Sequence, residues 1–159
     1  IHQALNILEK GSIPISIIIL QDGKPFRHLN NKFNLVLTGW LDSEKMISAL
    51  SAADVLLMPS IQESFGMLAL ESMACGTPVI VCSGTALPEI VGDGIGGVVI
   101  PPYSPKEIVK TLTRLMNEPE ELFELSCNAL SRARSNFNVK KTILEHKELY
   151  KKIYNKIKK

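Results

Sequence analysis

Five short apolar runs, each closed by a turn residue and separated by stretches with helical spacing, constrain this chain more than any other feature. They are SIIIL (16–20), NLVLTG (34–39), DVLLMP (54–59), TPVIVC (77–82) and GGVVIPP (96–102). None alternates apolar with polar residues. Such runs predict strands buried on both faces, as in a parallel sheet, rather than the half-exposed strands of a meander. Between them lie helical patterns. DSEKMISALSAA (42–53) opens on Asp42 as a helix N-cap, with Met46, Ile47 and Leu50 on one face. A helix after Pro59 is closed by Gly76 and Pro78, and ALPEIV (86–91) gives a short helix or turn with Pro88 in its first turn. Strand and helix in alternation predict an α/β, Rossmann-like three-layer domain with a mostly parallel sheet.

The ends of the chain extend this pattern. Residues 1–10 have amphipathic helical spacing closed by Gly11, and QDGKP (21–25) predicts a turn after the first strand. SPKEIVKTLTRLMN (104–117) begins with Ser104, Pro105 and Glu107, the arrangement of a capping box with a proline start. Two more helices follow, at 119–135 and 138–157. We divide the chain into a Rossmann-like body, 1–137, and a basic amphipathic helix of the same domain, 138–159.

Bulk properties exclude several classes. With 159 residues, 45% of them apolar, the chain can bury one real core and is not a disordered segment. The run IPISIIIL (13–20) is too short to span a bilayer, and no secretory signal is visible. Ile1 falls inside a helical pattern, so we expect a piece of a longer protein, truncated at its N-terminal side. Cys75, Cys82 and Cys127 form no CxxC pair, which predicts reduced thiols and a cytoplasmic location. His2, His28 and His146 fall in no metal-binding pattern, so no metal is expected. The net charge of +2 is uneven: residues 138–159 carry eight Lys and two Glu, and the remainder is mildly acidic. Ile143, Lys147, Tyr150, Ile153, Tyr154 and Ile157 form a stripe there at helical spacing. The stripe predicts packing on the body or on a missing part of the chain, with peripheral contact at the inner face of a membrane as the second reading. No interleaving of aromatics with Arg marks a nucleic-acid groove, and no nucleic-acid partner is expected.

In a parallel α/β sheet, ligands sit beyond the carboxyl ends of the strands. VGDGIGG (91–97) contains a literal GxGxxG, but a helix precedes it and a strand follows, the reverse of a dinucleotide fingerprint. It predicts a turn entering the fifth strand. PSIQESFG (59–66) is a strand-to-helix loop on the ligand side, with a helix start near Ser64–Gly66 and Ser64 as N-cap candidate. Unpartnered amides and the positive end of the helix dipole favour an anion there, and Gly66 leaves room for a close approach. Met67, Glu71 and Ala74 share one helical face. A carboxylate among apolar neighbours predicts either an internal ion pair or an acceptor for two vicinal hydroxyls, as acids hold a ribose. Glu63, in the loop, reads on its own as a solvated acid.

Residues 53–102 resemble the C-terminal half of GT-B glycosyltransferases, family four in particular. The marks are the PSxxExFG segment, the pair Glu63 and Glu71 with seven residues between them, the ESMACGTPV run (71–79) and Glu89 of PEIV before a glycine-rich turn. The resemblance extends less specifically over nearly the whole chain. It implies one half of a GT-B fold with extra C-terminal helices, binding a nucleotide-sugar donor. By the same resemblance Glu63 faces the donor sugar as the catalytic-site acid. Backbone amides around Ser64, Phe65, Gly66 and Met67 meet the sugar and diphosphate, Glu71 takes the ribose, and Gly39, Trp40 and Leu41 border the base.

It also implies a retaining reaction without bound metal or cofactor, an acceptor held by a missing N-terminal domain, and a place in cell-envelope polysaccharide synthesis. The family's diphosphate-clamping basic residues precede the helix with which this chain begins, so the 159 residues alone are expected to be inactive. Two other readings stay open: a sugar-nucleotide epimerase or phosphorylase of the same architecture, and a non-catalytic flavodoxin-like interaction module.

Overall fold

The computed structural model of the chain describes residues 1–11, 14–20, 26, 29 and 32–158. The turn expected at 21–25 and His28 lie outside them. The strands are β1 (Ser16–Ile19), β2 (Asn34–Leu37), β3 (Leu56–Met58), β4 (Val79–Cys82) and β5 (Gly97–Ile100). The helices are α1 (His2–Lys10), α2 (Ser43–Ser51), α3 (Met67–Ala74), α4 (Leu87–Val91), α5 (Pro105–Asn117), α6 (Pro119–Asn136) and α7 (Val139–Ile157). Among the described residues every strand pairing is parallel, in two hydrogen-bonded groups, β1–β2 and β3–β4–β5.

The β3–β4–β5 group has the expected three layers. β4 is fully buried, and its side chains alternate between two cores. Val79 and Val81 face Ala69 and Met73 of α3, Leu87, Ile90 and Val91 of α4, and Ala129 and Ala133 of α6. Ile80 and Cys82 face Ala4 of α1 and Ile108 and Leu115 of α5. Each such branched side chain stabilises the fold by about 1.5–3 kcal/mol relative to exposure. The GxGxxG segment is the predicted turn: Gly92 and Gly94 take φ of +65° and +71°. Asp93 Oδ1 accepts from the Val99 amide at 2.8 Å. Gly97 opens β5 directly beside Val79, where a Cβ would strike the Val79 carbonyl.

Three expectations are corrected. First, β1 and β2 are not buried on both faces. Leu5 and Leu8 of α1 cover the Ile17 and Leu35 side, whereas Val36 on the other face is 48% exposed. The helix that follows β2 leans on α3 and buries only Leu50. Second, Ser104 caps α5 without a side-chain hydrogen bond, so the box expected with Glu107 does not close. Its φ and ψ, −111° and 84°, depart from the extended geometry of a capping side chain. Asp42 does cap α2, its Oδ1 accepting from the Lys45 amide at 2.9 Å. Third, α7 buries no residue, so its stripe does not pack on the described body: Ile143, Tyr150, Ile153 and Tyr154 are all exposed.

Candidate functional site

The loop Pro59–Gly66 leaves the carboxyl end of β3 and enters α3, as the sequence pattern requires. The helix is not capped by Ser64, however. The N-cap is Gly66, in the left-handed region at φ 101° and ψ 55°, and no side chain closes the helix start. The first intrahelical bond runs from the Leu70 amide to the Gly66 carbonyl at 3.1 Å. The amides of Met67, Leu68 and Ala69 are therefore the unpartnered donors of the first turn, and no acidic residue in that turn competes for them. An anion placed there meets three N–H groups and the positive end of the dipole.

Gly66 has a different reason for being glycine than the sequence suggested. It is buried, and a Cβ there would collide with Leu87 Cδ2 rather than open onto ligand space. Its positive φ demands glycine independently. The loop is fixed on α4 at a second point, since the Ala86 amide donates to the Glu63 carbonyl at 3.3 Å. The Glu63 side chain is half-buried and folds back, its Oε1 accepting from the Ser64 amide at 3.1 Å. Ser64 and Phe65 are exposed.

The far end of α3 is rigid. Gly76 takes φ 84°, its amide donates to the Met73 carbonyl and the Thr77 amide reaches back to the Ser72 carbonyl, both at 3.0 Å. This is a Schellman closure. Buried Ser72 Oγ donates to the Thr77 carbonyl at 2.9 Å, Thr77 Oγ1 to the Leu50 carbonyl at 2.7 Å, and Ser126 Oγ of α6 to the Gly76 carbonyl at 2.5 Å. Much of the ESMACGTPV run thus holds α3 between α2, β4 and α6.

Glu71 sits one turn inside this anchored helix, and here the expectation of apolar surroundings is corrected. Met67, Glu71 and Ala74 do share a face, but the face is open: all three are exposed, Met67 by 58%. Glu71 makes no salt bridge or side-chain hydrogen bond among the described residues. The internal ion pair that would have explained it structurally is not formed.

The second loop follows β2. Thr38 ties it down, its amide and Oγ1 both donating to the Ile19 carbonyl, at 3.1 and 3.2 Å. Gly39 turns at φ 65° and throws Trp40 outward, 85% exposed, while Leu41 is half-buried. Gly39–Leu41 precede α2 and Pro59–Gly66 precede α3, and α2 packs on α3, so the two loops introduce neighbouring helices. No side-chain hydrogen bond or ring contact joins the loops among the described residues.

Three residues that hold the site carry no sequence signal. Leu87 fills the space beside Gly66. Arg132 of α6 donates from Nε to the Ile90 carbonyl at 2.8 Å and from Nη2 to the Glu89 carbonyl at 2.6 Å, clamping the end of α4. Phe137, at the end of α6, stands edge-on to Phe65. Each is brought in from twenty or more residues away, and nothing local in the sequence announces it.

The arrangement is an α/β domain with an uncapped helix N-terminus, a carboxylate without a partner among the described residues one turn in, and an exposed indole in the loop that precedes the neighbouring helix. The family model described as Glycosyl transferases group 1 matches residues 24–132, and the chain belongs to that family. Among curated relatives, a D-inositol 3-phosphate glycosyltransferase of Thermomonospora curvata is 44% identical over 84 residues, 53% of this chain and 20% of that protein. The chain thus matches about a fifth of that relative's length. Among solved structures, sucrose-phosphate synthase of Thermosynechococcus elongatus superposes with a TM-score of 0.78 at 25% identity, over 96% of this chain and 42% of that one. HepE of Anabaena in complex with UDP-glucose gives 0.78 at 18% identity, over 95% and 44%. The fold is the Rossmann-like one of GT-B glycosyltransferase C-terminal domains.

Proposed function

We propose that this chain is the donor-binding half of a retaining glycosyltransferase that takes its sugar from a nucleotide-diphosphate sugar. One observation carries the reading: α3 begins at a left-handed Gly66 with no side-chain cap, and unpaired Glu71 stands on its open face one turn further in. Diphosphate at the Met67–Ala69 amides and ribose hydroxyls at Glu71 use both features at once. The base lies against Gly39, Trp40 and Leu41, whose exposed indole offers a stacking face. Glu63, with Ser64, Phe65 and Gly66, borders the sugar.

As the glycosidic bond breaks, negative charge grows on the leaving diphosphate. Amides at a helix start held in place by Leu87 and by the Ala86–Glu63 hydrogen bond stabilise that charge with little reorganisation. The two glutamates do not form a carboxylate pair of the glycosidase kind: one is bent back onto its own loop and the other lies on the helix face. No metal or cofactor enters this scheme. The acceptor, a saccharide or lipid-linked saccharide of the cell envelope, binds through the other half of the longer protein, on the cytoplasmic side of the membrane. The exposed stripe of α7 docks on that half. The solved neighbours support this, because the matched region spans nearly all of this chain but less than half of theirs.

The flavodoxin-like interaction module calls for Glu71 to be paired internally and for no ligand to protect the domain thermally; Glu71 has no such partner among the described residues, and the thermal-shift screen below tests the second requirement. An epimerase of the same architecture acts on its donor without acceptor, which mass spectrometry of donor-only incubations detects. The direct test is a thermal-shift screen of nucleotide sugars on the full-length protein, followed by Glu71→Ala. Loss of the charged acceptor should weaken donor binding by about tenfold or more, from hydrogen bonds of about 1.5–3 kcal/mol each. Stability should hold, since Glu71 has no structural partner. Unchanged donor affinity would remove the ribose role.

A further inference from the structure

The Phe65 ring has no part in the donor scheme above, which uses only the backbone around it. It points instead at the corner where α6 ends. Phe65 and Phe137 meet edge to face, with centroids 6.3 Å apart and planes at 84°. Phe137 is half-buried, packs against the core of α3, α4 and α6, and closes α6 two residues before α7 begins. Arg132, one turn back, stands with its guanidinium 6.0 Å from the Phe137 centroid. The same guanidinium clamps the Glu89 and Ile90 carbonyls at the end of α4. The guanidinium lies against Gly92, whose missing Cβ gives it room. The start of α4 in turn holds the loop, through Leu87 against Gly66 and the Ala86 amide on Glu63.

The loop Glu63–Met67 is thus gripped twice, by α4 on one side and by Phe137 on the other, and Arg132 ties the two grips together. We propose that Phe137 is a positioning residue: its contact with Phe65 couples the α6–α7 corner to the loop that presents the donor-sugar amides. The inference rests on the donor reading for its functional consequence, but not for the coupling itself. Any displacement of α7 at residue 138 is felt first at Phe137, and there passes to Phe65. The amides of the helix start keep their place only while that ring contact holds.

Two measurements test it. Backbone amide order parameters by NMR on this chain read the coupling without any ligand. In the parent chain and in Phe137→Tyr, which keeps the ring, Ser64–Met67 should sit near about 0.85; in Phe137→Ala they should fall below about 0.6 while β4 and α6 stay rigid. Phe65→Leu, at an exposed position that tolerates the change, should reproduce the loss if Phe137→Ala does not fold. Unchanged order at the loop, or a loss spread equally through α4 and α6, overturns the proposal. In the full-length protein, UDP-glucose, GDP-mannose, UMP and GMP are titrated as probes. Phe137→Ala should weaken the bound sugar nucleotide at least tenfold and its monophosphate less than twofold, with Phe137→Tyr restoring both. Equal weakening overturns the positioning role. Silence of the parent protein toward all four nucleotides overturns the donor reading, and the order parameters still decide the coupling.

Discussion

Leu87 occupies the volume that a side chain on Gly66 would need, so the entry to α3 and the short helix α4 interlock. A substitution at Gly66 must both adopt φ 101° and displace a fully buried leucine. Left-handed backbone costs about 1–2 kcal/mol and overpacking about 1–3 kcal/mol. Gly66→Ala should therefore destabilise by about 2–5 kcal/mol in urea melts. Gly97→Ala should be worse, because its Cβ meets the Val79 carbonyl, and backbone of a paired strand cannot rotate aside as Leu87 can. If Gly97→Ala proves milder than Gly66→Ala, the close approach of β5 to β4 is wrong.

The three thiols should separate cleanly by reactivity. Burial pushes the Cys82 thiol up, away from the reactive thiolate. Cys127 is exposed on α6, and Cys75 is half-buried at the end of α3. A chromogenic disulfide reagent should titrate Cys127 within minutes in the native protein, Cys75 more slowly, and Cys82 only on unfolding. Fast labelling of Cys82, located by peptide mapping, would contradict the packing of β4.

Asp42 gives a pH dependence with a definite sign. The backbone and side chain of Lys45 hold its carboxyl below the usual 3.8. A depressed acid stabilises the fold above its unfolded value and loses that contribution as the pH falls through the folded one. The melting-temperature difference between parent and Asp42→Asn should be level near pH 7 and shrink below about pH 3.9. A gap that widens on acidification would refute the cap.

Tyr103 is the one non-glycine residue at positive φ among those described, at 56°, and it is 81% exposed. Its ring does not offset the backbone cost by burial. Tyr103→Gly should raise stability by up to about 1 kcal/mol, the left-handed penalty less the entropy that glycine loses on folding. A loss of stability would show that the tyrosine ring makes a contact worth more than the strain.

The strand order of events along the chain was legible because apolar runs such as TPVIVC and GGVVIPP are short, continuous and bounded by Gly or Pro. The end of α3 was legible for a similar local reason, Gly76 and Pro78 lying beside a helix that cannot pass them. The open face of α3 was not. MLALESMA is apolar nearly all round, so its pattern does not say which side faces out, and the apolar surroundings it predicts for Glu71 are absent from the fold. The box at Ser104 failed because the right residues in the right order do not fix the backbone angles that a capping hydroxyl needs. Leu87, Arg132 and Phe137 act across long stretches of chain, through contacts that exist only once the layers have assembled.

The last helix carries a consequence of its own. Nineteen residues that bury nothing draw no stability from the core, and isolated helices owe most of their order in proteins to what they lie against. Taken in this chain alone, α7 should therefore exchange its amide protons and be cut by a protease before the body does. Its helicity is a gauge of occupancy: the more completely its stripe is covered, the closer its opening free energy comes to that of the body.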